Sequence, residues 1–153
     1  MSKYDLTYAT VDSLSEGVGS SQIAPLMEKL ASHELKIRLL TFEKQNPPYS
    51  LVERMMKAGV EWTQIPFGSY GPFGGISRTM QLANLMPESE ITHARSDFPA
   101  LAARFSGQNR ILWDVRSLWA DQRKFIEASK IKRGILIFAF THFTSTIQAW
   151  YFY

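Results

Sequence analysis

Three short stretches carry residue types whose spacing could do chemistry. In His93-Ala94-Arg95-Ser96 a histidine and an arginine stand two apart. Such a pair can bind an anion or a sugar hydroxyl, or move a proton near neutral pH. In Asp114-Val115-Arg116-Ser117 a carboxylate stands two residues before an arginine, with Trp119 and Asp121 following. Alternate residues of a strand share a face, so Asp114 and Arg116 are expected side by side. A carboxylate there can orient a hydroxyl nucleophile or stabilise positive charge at a reacting carbon. The third stretch is the loop at residues 12–19, where Gly17-Val18-Gly19 leads into a helical pattern. Glycine lets the backbone approach a ligand closely, and a helix N-terminus offers unpaired N–H groups to phosphate. Gly19→Val is accordingly expected to block a diphosphate without unfolding the chain. Each stretch also has a plainer explanation. The glycines turn the chain, His93 is a buried histidine beside an arginine that caps a carbonyl, and Asp114–Arg116 is an ion pair with Asp121 capping the next helix.

The hydrophobic pattern supplies the elements that must hold these residues. Leu6, Tyr8 and Val11 mark a first strand, and Ile23, Leu26, Met27 and Leu30 recur at helical spacing behind a Ser20 or Ser21 cap. Leu35, Ile37, Leu39 and Leu40 mark a second strand ending before Glu43. Glu43 could hold a ribose there. The full dinucleotide fingerprint, however, has a glycine where Gln22 stands, and the loop is several residues too long for it. Ser50-x-x-Glu53 reads as a capping box for a helix through Leu51, Val52, Met55 and Met56, stopped at Gly59. A third strand covers 60–65, followed by a glycine-rich loop at 68–75. Ile76, Met80 and Ala83 then lie on a third helix, which stops at Pro87. A fourth strand covers 91–94, Asp97 and Pro99 start a fourth helix, and a fifth strand covers 110–115. Strand and helix alternating in this way predict an α/β fold, a doubly wound parallel sheet with right-handed crossovers. In such a sheet ligands bind beyond the carboxyl ends of the strands, where all three stretches fall.

Composition narrows the function classes. The chain has 153 residues, enough for one domain and a sizeable core, and 45% of them are hydrophobic, which excludes a disordered chain. Without cysteine there is no disulfide, thiolate metal site or cysteine nucleophile, and three scattered histidines suggest no metal cluster. A formal charge of +3 spread along the chain gives little support to nucleic-acid binding. No signal peptide is read at the start, so the expected compartment is the cytoplasm, with peripheral association at the inner face of the membrane as an extension. Residues 134–153 carry no charge and end in Trp150, Tyr151, Phe152 and Tyr153. Thr141, His142 and the following hydroxyls argue against a spanning helix and for an apolar C-terminal helix or tail that associates with something. Two segments are therefore expected, 1–133 and 134–153.

Taken together, the loops resemble the N-terminal domain of family-4 glycosyltransferases, retaining sugar-nucleotide enzymes built of two Rossmann-like domains. The resemblance covers 4–133. It rests on Gly17-Val18-Gly19, Leu26-x3-Leu30, His33-Glu34-Leu35-Lys36-Ile37, Gly59-Val60-Glu61-Trp62, His93-Ala94-Arg95-Ser96 and, most specifically, the stretch from Asp114 to Asp121. Ser117 stands where the family has glycine. The resemblance implies transfer of a sugar from a nucleotide-diphosphate donor to a hydroxyl acceptor with retained configuration and no metal or other cofactor. It implies Asp114, Arg116 and His93 as catalytic groups, and Gly17, Gly19, Arg95 and Ser117 as substrate-binding. The family's second domain, which carries most of the donor site, is not recognised in the chain. An acceptor-side half is thus expected, completed by a second Rossmann-like domain or self-associating through the tail, and inactive alone. The alternative is a single-domain Rossmann-like nucleotide-binding or regulatory protein without transferase activity.

Overall fold

A computed structural model of the chain describes residues 2–115. Five strands, β1 (Tyr4–Thr10), β2 (Ile37–Glu43), β3 (Val60–Pro66), β4 (Ser89–Arg95) and β5 (Ile111–Asp114), alternate with four α-helices, α1 (Ala24–Ala31), α2 (Tyr49–Lys57), α3 (Pro72–Leu85) and α4 (Asp97–Phe105). All strand pairs are parallel, and the sheet order is β3-β2-β1-β4-β5. The chain steps outward from β1 to β3, then crosses back through α3 to lay β4 on the other side of β1. The fold is therefore the expected doubly wound, Rossmann-like sheet, and its topological switch point lies between β1 and β4.

One apolar cluster gathers Tyr8, Ile37, Leu39 and Val60 of the sheet with Met27 of α1 and Leu51 and Met55 of α2. The other gathers Ala9, Leu40, Phe42 and Ile65 with Leu82 of α3 and Ala102 and Ala103 of α4. Each face of the sheet thus carries two helices. Five of the seven β1 residues and six of the seven β2 residues are buried, because central parallel strands are covered on both sides.

Several local expectations are corrected. Helix α3 starts at Pro72, within the stretch expected to be loop. Gly75, Thr79, Leu82 and Met86 turn inward, while Ile76 and Met80 are about half exposed. Both faces of α3 are apolar, so the spacing of Ile76, Met80 and Ala83 fitted a helix without identifying its inner side. Gly75 is buried there because a Cβ would stand 3.0 Å from the Phe98 ring of α4, so the two helices need a small residue at their contact. The capping box at α2 does not form: Pro48 is the N-cap, with no side-chain bond, and Glu53 pairs with Lys57 at 2.8 Å instead. Ser20 and Ser21 do not cap α1 either. Their hydroxyls donate to the Gly17 carbonyl across a π-helical turn, Gly19–Ile23, that runs into α1. Gly59 does take the left-handed conformation at the end of α2, with φ +80°. Among the described residues no helix is long and apolar enough to cross a membrane. The expectations for 134–153 lie outside the described residues.

Candidate functional site

Parallel register places the polar residues of three strands in one row. Tyr8 pairs with His93 and Thr10 with Arg95 between β1 and β4; Arg95 pairs with Asp114 between β4 and β5. Partners in register share a face, so Tyr8, Thr10, His93, Arg95 and Asp114 all lie on the side covered by α1 and α2. They converge at the carboxyl ends of the strands, at the switch point.

Arg95 is the centre of this cluster and is only 5% exposed. Its Nε donates to Asp12 Oδ2 at 3.2 Å and its Nη2 to Gln22 Oε1 at 3.3 Å, while Nη1 stands 3.8 Å from Asp114 Oδ2. His93 Nε2 is 3.5 Å from the same Asp114 oxygen, and the His93 ring packs against Tyr8 at 4.5 Å between centroids. Asp12 is fixed in turn by Thr10, whose hydroxyl donates to its carboxylate at 3.1 Å and accepts its backbone N–H at 3.0 Å. A buried arginine is tolerated because two carboxylates offset its charge. Its Nε and Nη2 are engaged within the chain and its Nη1 faces Asp114, so the buried guanidinium bridges the two carboxylates instead of facing outward. What the cluster offers a ligand is carboxylate: the Asp12 side chain is 44% exposed and that of Asp114 21%. Carboxylates accept hydrogen bonds, and the ligands they recognise carry hydroxyls.

The loop between β1 and α1 is organised by Glu43, the last residue of β2. Its carboxylate accepts the Leu14 N–H at 2.8 Å and the hydroxyls of Ser13 at 2.5 Å, Ser15 at 3.0 Å and Thr41 at 2.6 Å. It is buried, and its oxygens are committed to the chain's own loop, where the sequence left a ribose contact open. Gly19 is needed for a similar reason. A Cβ there would stand 1.9 Å from the Ser13 carbonyl oxygen, so the close approach glycine permits is to the chain's own backbone. This corrects the expectation for Gly19→Val: the valine collides with the loop itself and does not leave a folded domain with a blocked site. Gly17 is exposed, at φ +46° with open space beside it.

Ser96, which follows Arg95, has φ +80° and ψ 177°, a conformation nearly confined to glycine. The strained turn sends its N–H to the Asp114 carbonyl at 3.0 Å, joining the ends of β4 and β5 directly beneath the cluster. Beside it, burial raises the Asp97 carboxyl above the ordinary range, with the Trp113 indole N–H acting in the opposite direction.

The sequence brought His93, Arg95 and Asp114 forward, and the structure gathers those three. It missed Asp12 and Gln22, although Asp12 stands just past β1 at the switch point, where a polar residue is expected to matter. Arg116 and Ser117 lie outside the described residues. Among the described residues no group of three or more His, Asp or Glu side chains is arranged to hold a metal ion. Comparison with protein-family models, with curated proteins and with solved structures found no match to this chain.

Proposed function

We propose that this domain is the acceptor side of a glycosyltransferase, which moves a sugar from a nucleotide-diphosphate donor to a hydroxyl with retained configuration. One observation carries it: two partly exposed carboxylates, Asp12 and Asp114, held by a buried arginine at the switch point of a Rossmann-like sheet, with a histidine 3.5 Å from one of them. In the transfer the donor's C1–O bond to diphosphate breaks, the acceptor oxygen bonds to C1 and the hydroxyl proton leaves. Asp114 accepts the hydrogen bond of the attacking hydroxyl and orients its lone pair. His93, whose Nε2 stands 3.5 Å from that carboxylate, is placed to relay the proton. Arg95 positions both. The donor's nucleotide is held by a second Rossmann-like domain, consistent with the family resemblance and with Arg95 and Glu43 being committed within this chain.

The test is transfer from labelled sugar nucleotide to polyol acceptors with a donor-binding domain supplied in trans. Asp114→Asn keeps shape and removes charge, so turnover should fall about 10²–10⁴-fold with little change in acceptor binding. Unchanged turnover makes Asp114 structural. The alternative, a nucleotide-binding or regulatory domain, draws on the switch point alone; a nucleotide that binds tightly while polyols do not would favour it.

A further inference from the structure

Helix α3 carries an apolar seam that faces away from the core. Phe73, Ile76, Met80 and Ala83 recur at intervals of three, four and three, the spacing of a helix that packs against another helix. Yet this is not the side that meets the sheet. Phe73 is 82% exposed, Ile76 53% and Met80 49%, while Gly75, Thr79, Leu82 and Met86 turn inward. Tyr70, just ahead of the helix, is 74% exposed. These four large side chains leave on the order of 500 Å² of mostly apolar surface in water, a patch of the size that marks an interaction site.

The polar flank of α3 has no charge to offer a partner. Between Glu61 and Glu88 the only charged residue is Arg78, which is buried and donates to the carbonyls of Phe67 and Ser69. The residues beside the seam are Ser77, Gln81 and Asn84, with Gln81 Nε2 donating to Ser77 Oγ at 3.0 Å. A helix that lies on a lipid surface carries Lys or Arg along its polar flank. A charged protein partner needs opposite charges to meet it. The face of α3 provides neither, and it suits a partner as neutral and apolar as itself.

The seam is also complementary to itself. When two copies are set antiparallel about a two-fold axis through the middle of the helix, Phe73 of one faces Ala83 of the other, and Ile76 faces Met80. Large side chains then meet small ones at both ends of the seam, and side chains of similar size meet at its centre. Ser77 of one copy stands by Asn84 of the other, hydroxyl beside amide, with no like charges opposed. The arrangement closes, because the same patch serves both copies. It buries about 1,000 Å² in all, the lower end for a specific interface, so the association is weak.

We infer that the outward face of α3 pairs with α3 of a second copy, making the chain a weak two-fold dimer. The inference stands on α3 alone, independently of the transferase reading, and names a surface other than residues 134–153.

The experiment is sedimentation velocity of the full chain over a range of concentrations, with circular dichroism to report folding. The wild type should pass from monomer to dimer. Ile76→Lys and Met80→Lys each set a cation against an apolar side chain of the second copy and should weaken association by about tenfold or more. Tyr49→Lys, at an exposed aromatic of α2, should leave it unchanged. Because the chain has no cysteine, disulfide capture reads the geometry even if a lysine variant fails to fold. Copies carrying Ile76→Cys, mixed with copies carrying Met80→Cys, should cross-link about tenfold faster than copies carrying Ser50→Cys, exposed on α2. Equal cross-linking rates, or a chain that stays monomeric throughout, overturn the pairing. Association that Ile76→Lys and Met80→Lys leave untouched overturns it as well and assigns self-association to another surface. A monomeric chain that floats with phosphatidylglycerol vesicles, and ceases to do so as Ile76→Lys, would make this face a lipid-binding one and likewise overturn the pairing.

Discussion

Arg95 and Glu43 are each held by several partners of the chain itself, and this decides what the strand ends can recognise. With Asp12, Gln22 and Asp114 around one guanidinium, the outward character of the cluster is set by carboxylates. Glu43 gathers four donors, three of them from residues 13–15, and so fixes the loop from which Asp12 projects. Glu43→Gln turns one acceptor oxygen into a donor among donors and should cost about 2–3 kcal/mol by denaturant unfolding. A loss below about 0.5 kcal/mol would mean that the loop is held by something else. Gly19→Ala should be at least as damaging, about 3 kcal/mol, since its methyl meets a backbone oxygen that cannot rotate away. A variant of wild-type stability would show that the loop yields. The types of His93, Arg95 and Asp114 were legible in the sequence because strand ends in this fold are where ligands bind. Their pairing was not, since it depends on register across three strands and on a loop residue, Asp12, distant from Arg95 in the chain.

Among the elements, β1, β2 and α4 were the most legible, because apolar runs and a Pro near a helix start have one physical meaning. Helix α3 was the least legible. Gly74 and Gly75 looked like loop and are helical: each is required by a close neighbour, Ser69 for one and Phe98 for the other. Its inner face is marked by Thr79 and Leu82, so Leu82→Ala should cost about 2–5 kcal/mol, whereas Met80→Ser should stay within about 0.5 kcal/mol. The reverse order, read from urea midpoints, would contradict the orientation of α3. At the start of α4, burial favours the neutral form of Asp97, so its folded pKa lies above the unfolded one. The stability this protonated carboxyl contributes is fully present below about 4, the ordinary aspartate value, and is lost as pH rises through the raised one. Asp97→Asn should therefore gain on the wild type in melting temperature as pH rises from 3 to about 7. A gap that is flat across that range, or a variant less stable at neutral pH, would assign Asp97 to the helix dipole and Trp113 instead.

For the whole molecule, the alternation of strands and helices was sufficient to expect the doubly wound sheet, and the order β3-β2-β1-β4-β5 then places one crevice at the β1–β4 boundary. Its exposed polar groups are the carboxylates of Asp12, just past β1, and Asp114, at the end of β5. The central claim, that the Asp12–Arg95–Asp114 cluster receives a hydroxyl acceptor, is tested most directly by adding a neutral polyol, free of phosphate, to the full chain and mapping amide and histidine ring shifts. The account predicts saturable shifts at Asp12, His93 and Asp114 that disappear in a folded Asp114→Asn variant, with the turn at 72–75 unmoved. Polyol shifts that persist in Asp114→Asn, or a cluster that no polyol moves while a nucleotide does, would contradict the account.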